Sequence, residues 1–151
     1  MKVLITLGPT QEPIDEVRYI TNASSGKMGA ALAREAINRG HKTTIVAGPV
    51  AIELPMNAKI IRVRTAKEMT DESLKELEHG YDVLVSTAAI ADYSPEFCSG
   101  KIKSGGGDLT LTLGARNDRI DLSPDTIDGV PKMVVARSPT CSTRAWAHDI
   151  E

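Results

Sequence analysis

Ser24-Ser25-Gly26-Lys27 stands directly before the apolar-periodic stretch that ends at Gly40. Two hydroxyls, a glycine and a cation at a helix start share one chemistry: they hold an anion. A helix N-terminus presents unpaired N–H groups and the positive end of a dipole. Glycine lets a ligand approach the backbone, and serine adds donors. The same residues also suit an ordinary capped helix whose glycines permit close packing, and on this stretch alone both readings stay open. A second group is Asp92 with Lys101 and Lys103. An aspartate just past a strand end can accept from a sugar or base, or hold Mg2+ through water. Two lysines on a glycine-flanked loop can follow a phosphate chain. The plain alternative is an exposed loop with solvated charges.

Other chemistries find less support. The G-x-x-x-x-G-K-[ST] spacing of a Walker loop is absent. "GPTQEPID" occupies the place of a G-x-G-x-x-G fingerprint, and the second strand ends in Ala47-Gly48 without an acid for a ribose, which counts against a nicotinamide-dependent oxidoreductase. His41, His79 and His148 are scattered, and Cys98 and Cys141 are too few for a zinc site or a disulfide framework. No protein metal site is expected. With 41% hydrophobic and 25% charged residues the 151-residue chain reads as a soluble globular domain, and its net charge of −2 gives no basic field for nucleic acid. The apolar runs are too short to span a bilayer. The N-terminal apolar stretch is already the first strand and lacks a small-residue cleavage site. A cytoplasmic protein is expected.

The elements that must position these residues are legible in outline. "KVLITL" (2–7), ended by Gly8-Pro9, reads as a buried strand. Residues 8–21, with two prolines and mixed charge, read as loop. Ser24 or Ser25 is expected to cap a helix running to about Arg39, with Gly40 as its stop and Gly29, Leu32, Ala33, Ala36 and Ile37 on one face. "KTTIVAG" and "AKIIRVR" read as strands. Thr65 and Glu68 form a capping box for a helix to about Glu78. "DVLVSTA" (82–88) is a fourth strand. This order predicts an α/β fold with right-handed crossovers and a mainly parallel sheet. The Gly8 loop, the Gly48-Pro49 turn and the Ala88 loop should open on one edge, where such sheets bind ligands. Residues 89–108 read as irregular, "LTLTL" (109–113) as a half-buried strand, and "VPKMVVA" as a further candidate strand. The segment after about Ser138 has no useful period and is expected to be mobile.

"GPTQEPIDEVRYITNASSGKMG", "TAKEM", "STAAIADYSP" and "KIKS" occur in this order and at these intervals. Together they resemble the phosphopantothenate–cysteine ligase family, the synthetase half of many two-part coenzyme A biosynthesis proteins. The resemblance covers roughly residues 1–113. It implies a Rossmann-like three-layer α/β domain, usually working as a homodimer. It also implies a ligase that joins 4′-phosphopantothenate and L-cysteine: CTP, accompanied by Mg2+, activates the phosphopantothenate carboxylate, pyrophosphate leaves, and cysteine's amine attacks the acyl-cytidylate. By motif, Asn22 would hold the intermediate through its amide and Arg18 would support the phosphopantothenate side. Ser86, Thr87 and Ala88 would line the nucleotide, Asp92 would bind its ribose or base, and Lys101 its phosphates.

The ending departs from the family. Where an Asn-Pro-Asp-Ile type turn normally follows the "LTLTL" strand, this chain reads "GARNDRIDL". The later strand and lysines of the family are not recognisable in 114–151, which is set apart as a divergent or truncated, partly disordered segment. Two readings follow: a ligase, whole or impaired by this ending, or a non-catalytic fragment that binds nucleotide or phosphopantothenate or serves as an assembly subunit. With no decarboxylase-like sequence ahead of Met1, the decarboxylase step is expected from another polypeptide.

Overall fold

The structure, a computed structural model, describes residues 1–103, 105, 108–116 and the backbone of 133–135. The tail expected to be mobile lies outside the described residues. In chain order the elements are β1 (Lys2–Leu7), β2 (Gln11–Pro13), β3 (Tyr19–Thr21), α1 (Lys27–Asn38), β4 (Lys42–Ala47), β5 (Lys59–Arg62), α2 (Ala66–Leu77), β6 (Val83–Ser86), β7 (Tyr93–Pro95), β8 (Leu113–Ala115) and β9 (Met133–Val135).

Five strands form one sheet in the order β5-β4-β1-β6-β9, with every neighbouring pair parallel. β1 is central, and all of it except Lys2 is buried. A strand covered on both faces needs apolar side chains at successive positions, which is why "KVLITL" does not alternate. On one face Val3, Ile5 and Leu7 join Ile45, Ala47 and the α1 residues Ala30 and Ala33. On the other, Leu4, Val46 and Leu84 meet Met69 and Leu77 of α2. The result is the expected three-layer, Rossmann-like α/β arrangement. "VPKMVVA" supplies β9, which pairs with β6 and falls within the segment that the sequence set apart.

The connectivity creates the place for a site. From β1 the chain passes through α1 to β4 on one side; from β5 it returns through α2 to β6 on the other. β1 and β6 are neighbours whose following connections diverge, so their carboxyl ends open a crevice.

Several local expectations need correction. Residues 8–21 are not all loop: β2 and β3 form an antiparallel hairpin, with Gln11 opposite Thr21 and Pro13 opposite Tyr19. Three-residue strands are too short to leave a period, and Pro13 sits at a strand end, where its missing N–H costs little. Neither Ser24 nor Ser25 caps α1. Gly26 is the N-cap, and no side chain caps the helix. At its other end the Gly40 and His41 N–H groups donate to the Ile37 and Ala36 carbonyls, closing the helix as expected. Leu32 faces outward at 39% exposure, while Ala30 takes a buried place. Only small side chains fit between α1 and the sheet. "LTLTL" is not a half-buried strand: Leu109 and Leu111 are exposed, and pairing starts only at Leu113, opposite Pro95 of β7. Among the described residues no strand lies beside 109–112, and alternation alone makes no sheet. The capping box of α2 forms as expected, with the Thr65 hydroxyl accepting from the Glu68 N–H.

Candidate functional site

Past the sheet, β1 and β6 continue side by side. The Ala89 N–H donates to the Gly8 carbonyl at 2.8 Å and the Thr10 N–H to the Ala89 carbonyl at 3.3 Å. The buried Thr10 hydroxyl accepts from the Ala91 N–H at 3.0 Å. From β4, the Gly48 N–H reaches the Leu7 carbonyl at 2.9 Å. The three loops expected on one edge therefore do meet there.

The first turn of α1 overlies this edge. Gly26 has φ +71°, and a Cβ on it would lie 2.8 Å from Val50 Cγ1 and 3.2 Å from Leu7 Cδ1. A side chain is excluded both by conformation and by space. At Gly29 a Cβ would come within 2.4 Å of the Thr87 hydroxyl oxygen, so the helix backbone lies directly on the end of β6. No acidic residue occupies the first turn, and Lys27 stands at its first position. A cation at the positive end of a helix costs roughly 0.3–1 kcal/mol, a cost that a bound anion would reverse. Ser25 and Lys27 are exposed and Ser24 is half-buried, so these groups can reach a ligand.

Asn22 is brought to the same crevice from the hairpin. Its Nδ2 donates to the Ala89 carbonyl at 3.3 Å and the Ile90 carbonyl at 3.0 Å. Two carbonyl acceptors fix which way the amide points. Its donors are spent on the loop after β6, so a ligand would meet the Oδ1 acceptor. Ser86 ends β6, and Thr87 and Ala88 follow it at this edge, but Thr87 has a structural bond: its hydroxyl donates to the Thr6 carbonyl at 2.6 Å. Ser86 Oγ accepts from the Thr6 hydroxyl at 3.4 Å. Ala88 packs toward the α2 side. Asp92 is exposed just beyond, with its carbonyl accepting from the Arg116 N–H at 2.9 Å.

Arg18 is joined to the other basic segment. Its guanidinium pairs with Asp15, and its Nη1 also donates to the Ile102 carbonyl at 3.2 Å. Lys101 and Lys103, on either side of Ile102, are exposed, and neither forms a side-chain hydrogen bond or ion pair among the described residues. Two groupings result: Asn22 with Ala89 and Ile90, and Arg18 with residues 101–103.

Sequence reasoning missed the two buried carboxylates that hold this region together. Glu12, 1% exposed, accepts from the first N–H of α2, at Ala66, and pairs with Arg116 at 2.9 Å. Asp15, equally buried, accepts from the Val17, Arg18 and Ile102 N–H groups. Burial pushes the Asp15 carboxyl up, but those three N–H groups and the Arg18 guanidinium outweigh it and hold the pKa at about 2, below the ordinary 3.8. The available signal was an aspartate followed by free N–H groups in a proline-broken loop, the makings of an Asx turn. A shallow groove lined by Met1, Lys2, Gly40, Lys42, Gly80 and Asp82 lies at the opposite edge of the sheet, away from all of these residues.

With this geometry in view, residues 1–126 match the family model of the DNA/pantothenate metabolism flavoprotein C-terminal domain. The coenzyme A biosynthesis bifunctional protein CoaBC of Vibrio vulnificus (strain YJ016) is 40% identical over 152 aligned residues, covering 99% of this chain and 36% of the relative. The likeness thus runs past residue 113, and the chain spans about a third of the length of that relative. The crystal structure of the C-terminal domain of a coenzyme A biosynthesis bifunctional protein CoaBC matches with TM-score 0.66 at 37% identity, over 79% of this chain and 55% of that one. The DNA/pantothenate metabolism flavoprotein from Streptococcus pneumoniae matches with TM-score 0.68 at 25% identity, over 77% of this chain and 60% of that one.

Proposed function

The chain belongs to the family of the DNA/pantothenate metabolism flavoprotein C-terminal domain, and on that premise we propose that it is the ligase portion of a coenzyme A biosynthesis enzyme, joining 4′-phosphopantothenate to L-cysteine at the expense of CTP. The observation that carries this reading is the convergence of Asn22 with the carboxyl end of β6, beside a helix start that bears a cation and no acid. The names of the relatives, coenzyme A biosynthesis bifunctional proteins, supply the pathway.

A carboxylate oxygen of phosphopantothenate attacks the α-phosphorus of CTP, and the bond to pyrophosphate breaks as the acyl-cytidylate forms. The cysteine amine then attacks the acyl carbon, CMP leaves with the bonding pair, and the amine proton passes to solvent. Both steps move negative charge among oxygens, so positioned donors and cations suffice and no enzyme nucleophile is needed. The α1 start with Ser24, Ser25, Gly26 and Lys27 receives a phosphate. Ser86, Thr87 and Ala88 wall the nucleotide chiefly through backbone, since the Thr87 hydroxyl is held by Thr6. Lys101 meets the outer phosphates, and Asp92 the ribose or base. Asn22 holds the loop after β6 with its NH2 and turns its Oδ1 acceptor to an N–H or O–H of the intermediate rather than to its charged oxygens, with Arg18 on the phosphopantothenate side.

Magnesium bound to a triphosphate keeps several waters and needs few protein ligands. The exposed carboxylate of Asp92 fits that demand through water, whereas no three of His, Cys, Asp and Glu gather as a metal cluster among the described residues. The ion would neutralise phosphate charge. No helix among the described residues is long and apolar enough to cross a membrane, and the enzyme is proposed to act in the cytoplasm with a decarboxylase partner. Exposed Tyr93, Phe97, Leu109, Leu111 and Leu113 along the β7–β8 region suit burial against a second copy, which sedimentation of the chain would detect as a homodimer.

The deciding assay supplies 4′-phosphopantothenate, CTP and Mg2+ and follows pyrophosphate, then adds cysteine and follows CMP. Pyrophosphate release that requires phosphopantothenate, with CMP released on adding cysteine, is expected. A folded chain that neither releases pyrophosphate nor binds CTP saturably would sink the reading.

A further inference from the structure

Asp15 does more than close the hairpin turn. One carboxylate oxygen, Oδ1, accepts from the Val17 N–H at 2.9 Å and the Arg18 N–H at 2.8 Å. Those two bonds suffice for the turn between β2 and β3. The other oxygen, Oδ2, leaves the turn: it accepts from the Ile102 N–H at 3.0 Å and pairs with the Arg18 guanidinium. Arg18 Nη1 then grips the Ile102 carbonyl at 3.2 Å. Ile102 is thus held at both its N–H and its C=O by a single ion pair 84 to 87 residues away in sequence. Upstream, the Cys98 N–H donates to the Ile14 carbonyl at 2.9 Å, a second staple between the same two segments. The Asp15 side chain has no exposed surface, while Arg18 is 36% exposed at the margin. Lys101 and Lys103 flank the clasped residue and extend into solvent.

We propose that Asp15 is a positioning residue for nucleotide binding: through Oδ2 and Arg18 it clasps Ile102, and so fixes Lys101 and Lys103 where the outer phosphates of a nucleoside triphosphate lie. This rests on the ligase reading. The clasp settles the order of the 101–103 backbone before the ligand arrives. Otherwise, ordering the freed residues on binding would weaken affinity about tenfold. The benefit belongs to the triphosphate, because a nucleoside monophosphate has no outer phosphates for the lysines to meet.

Asp15→Asn separates the two jobs of the carboxylate. The amide oxygen can still accept from Val17 and Arg18, whereas its NH2 would face two donors, the Ile102 N–H and the guanidinium. Hydrogen exchange of the unliganded full chain, and titration with CTP and CMP, test the clasp and its purpose separately. The Ile102 amide should exchange about tenfold faster in Asp15→Asn. CTP affinity should fall about tenfold with CMP nearly unchanged. In a Lys101→Gln background the same substitution should cost little further CTP affinity, because both changes remove one interaction. Ile102→Pro removes the N–H that reaches Oδ2 but also restricts φ at 102 and the Lys101 backbone, so it is paired with Arg18→Gln, which releases the Ile102 carbonyl; both should reproduce the CTP loss even if Asp15→Asn fails to fold. Unchanged Ile102 exchange overturns the clasp. Equal losses for CTP and CMP, or full additivity with Lys101→Gln, overturn the positioning role. A wild-type chain that binds no CTP, while Asp15→Asn still accelerates Ile102 exchange, refutes the ligase reading and leaves the clasp standing.

Discussion

Replacing Asn22 with alanine tests the centre of the proposed site. The substitution removes two hydrogen bonds, from Nδ2 to the Ala89 carbonyl at 3.3 Å and the Ile90 carbonyl at 3.0 Å. It also removes the Oδ1 turned toward the ligand. Asn22 is exposed, so water can replace its partner at both carbonyls and the folding cost should stay near 1 kcal/mol. The loop after β6 is independently held by the Ala89 and Thr10 backbone bonds and by the Thr10 hydroxyl, so it should keep its path. The loss should therefore fall on chemistry rather than on the fold. A contact that orients the reacting groups is worth on the order of 100-fold in rate, about 2.7 kcal/mol. Asn22→Ala is expected to bind CTP with little change and to release pyrophosphate about 100-fold more slowly in a single turnover. Asn22→Asp adds a diagnostic. It sets a carboxylate oxygen against two carbonyls, so it should disturb the β6 loop as well as the rate. Wild-type pyrophosphate release by a folded Asn22→Ala chain would refute the reasoning, because a side chain that only props a loop already held by other bonds is dispensable.

Three further outcomes follow from the structure. Lys101→Gln should weaken CTP more than CMP in a titration, and wild-type CTP affinity should fall with added salt, since Lys101 is exposed and its charge is screened; equal losses for both nucleotides would mean that it does not meet the outer phosphates. Leu4→Ala empties a fully buried site between the sheet and α2 and should cost about 2–5 kcal/mol in denaturant unfolding; a loss below about 1 kcal/mol would contradict that packing. The depressed pKa of Asp15 stabilises the fold above its unfolded value of 3.8, and this contribution is lost as pH falls toward about 2. Asp15→Asn should accordingly narrow the difference from wild type as pH drops through that window in acid unfolding, and a constant difference would show that the carboxylate does not carry its charge in the fold.

The site is a meeting of segments that are weak alone. An uncapped helix start with Lys27 at its first position is slightly unfavourable, and a loop whose two exposed lysines pair with nothing among the described residues is costly to order. Such local costs accumulate where a ligand is to be held. The buried acids Glu12 and Asp15 offset them by fixing the hairpin, α2, the 101–103 segment and Arg116 relative to one another.

What the sequence determined by itself was whatever depends on neighbours along the chain. "KVLITL" declares a buried strand and "KTTIVA" a strand because short runs rich in apolar and β-branched residues end at glycine turns. Thr65 and Glu68 declare the start of α2 because both halves of a capping box lie within one turn. Ser24 to Lys27 suit an anion by residue type as well as a plain helix start, and the ordered motifs from "GPTQEP" to "KIKS" carried the family. The tertiary structure decided the rest. Alternation in "LTLTL" could not show that pairing begins only at Leu113 among the described residues, with Leu109 and Leu111 exposed. The serines before α1 could not show that Gly26, pressed against Leu7 and Val50, would take the cap instead. Asn22 met Ile90, and Asp15 met Ile102, across 68 and 87 residues. Hydrogen bonds of that span leave no period or spacing in the chain, because their geometry exists only once β1 and β6 lie side by side and carry their loops to the same edge.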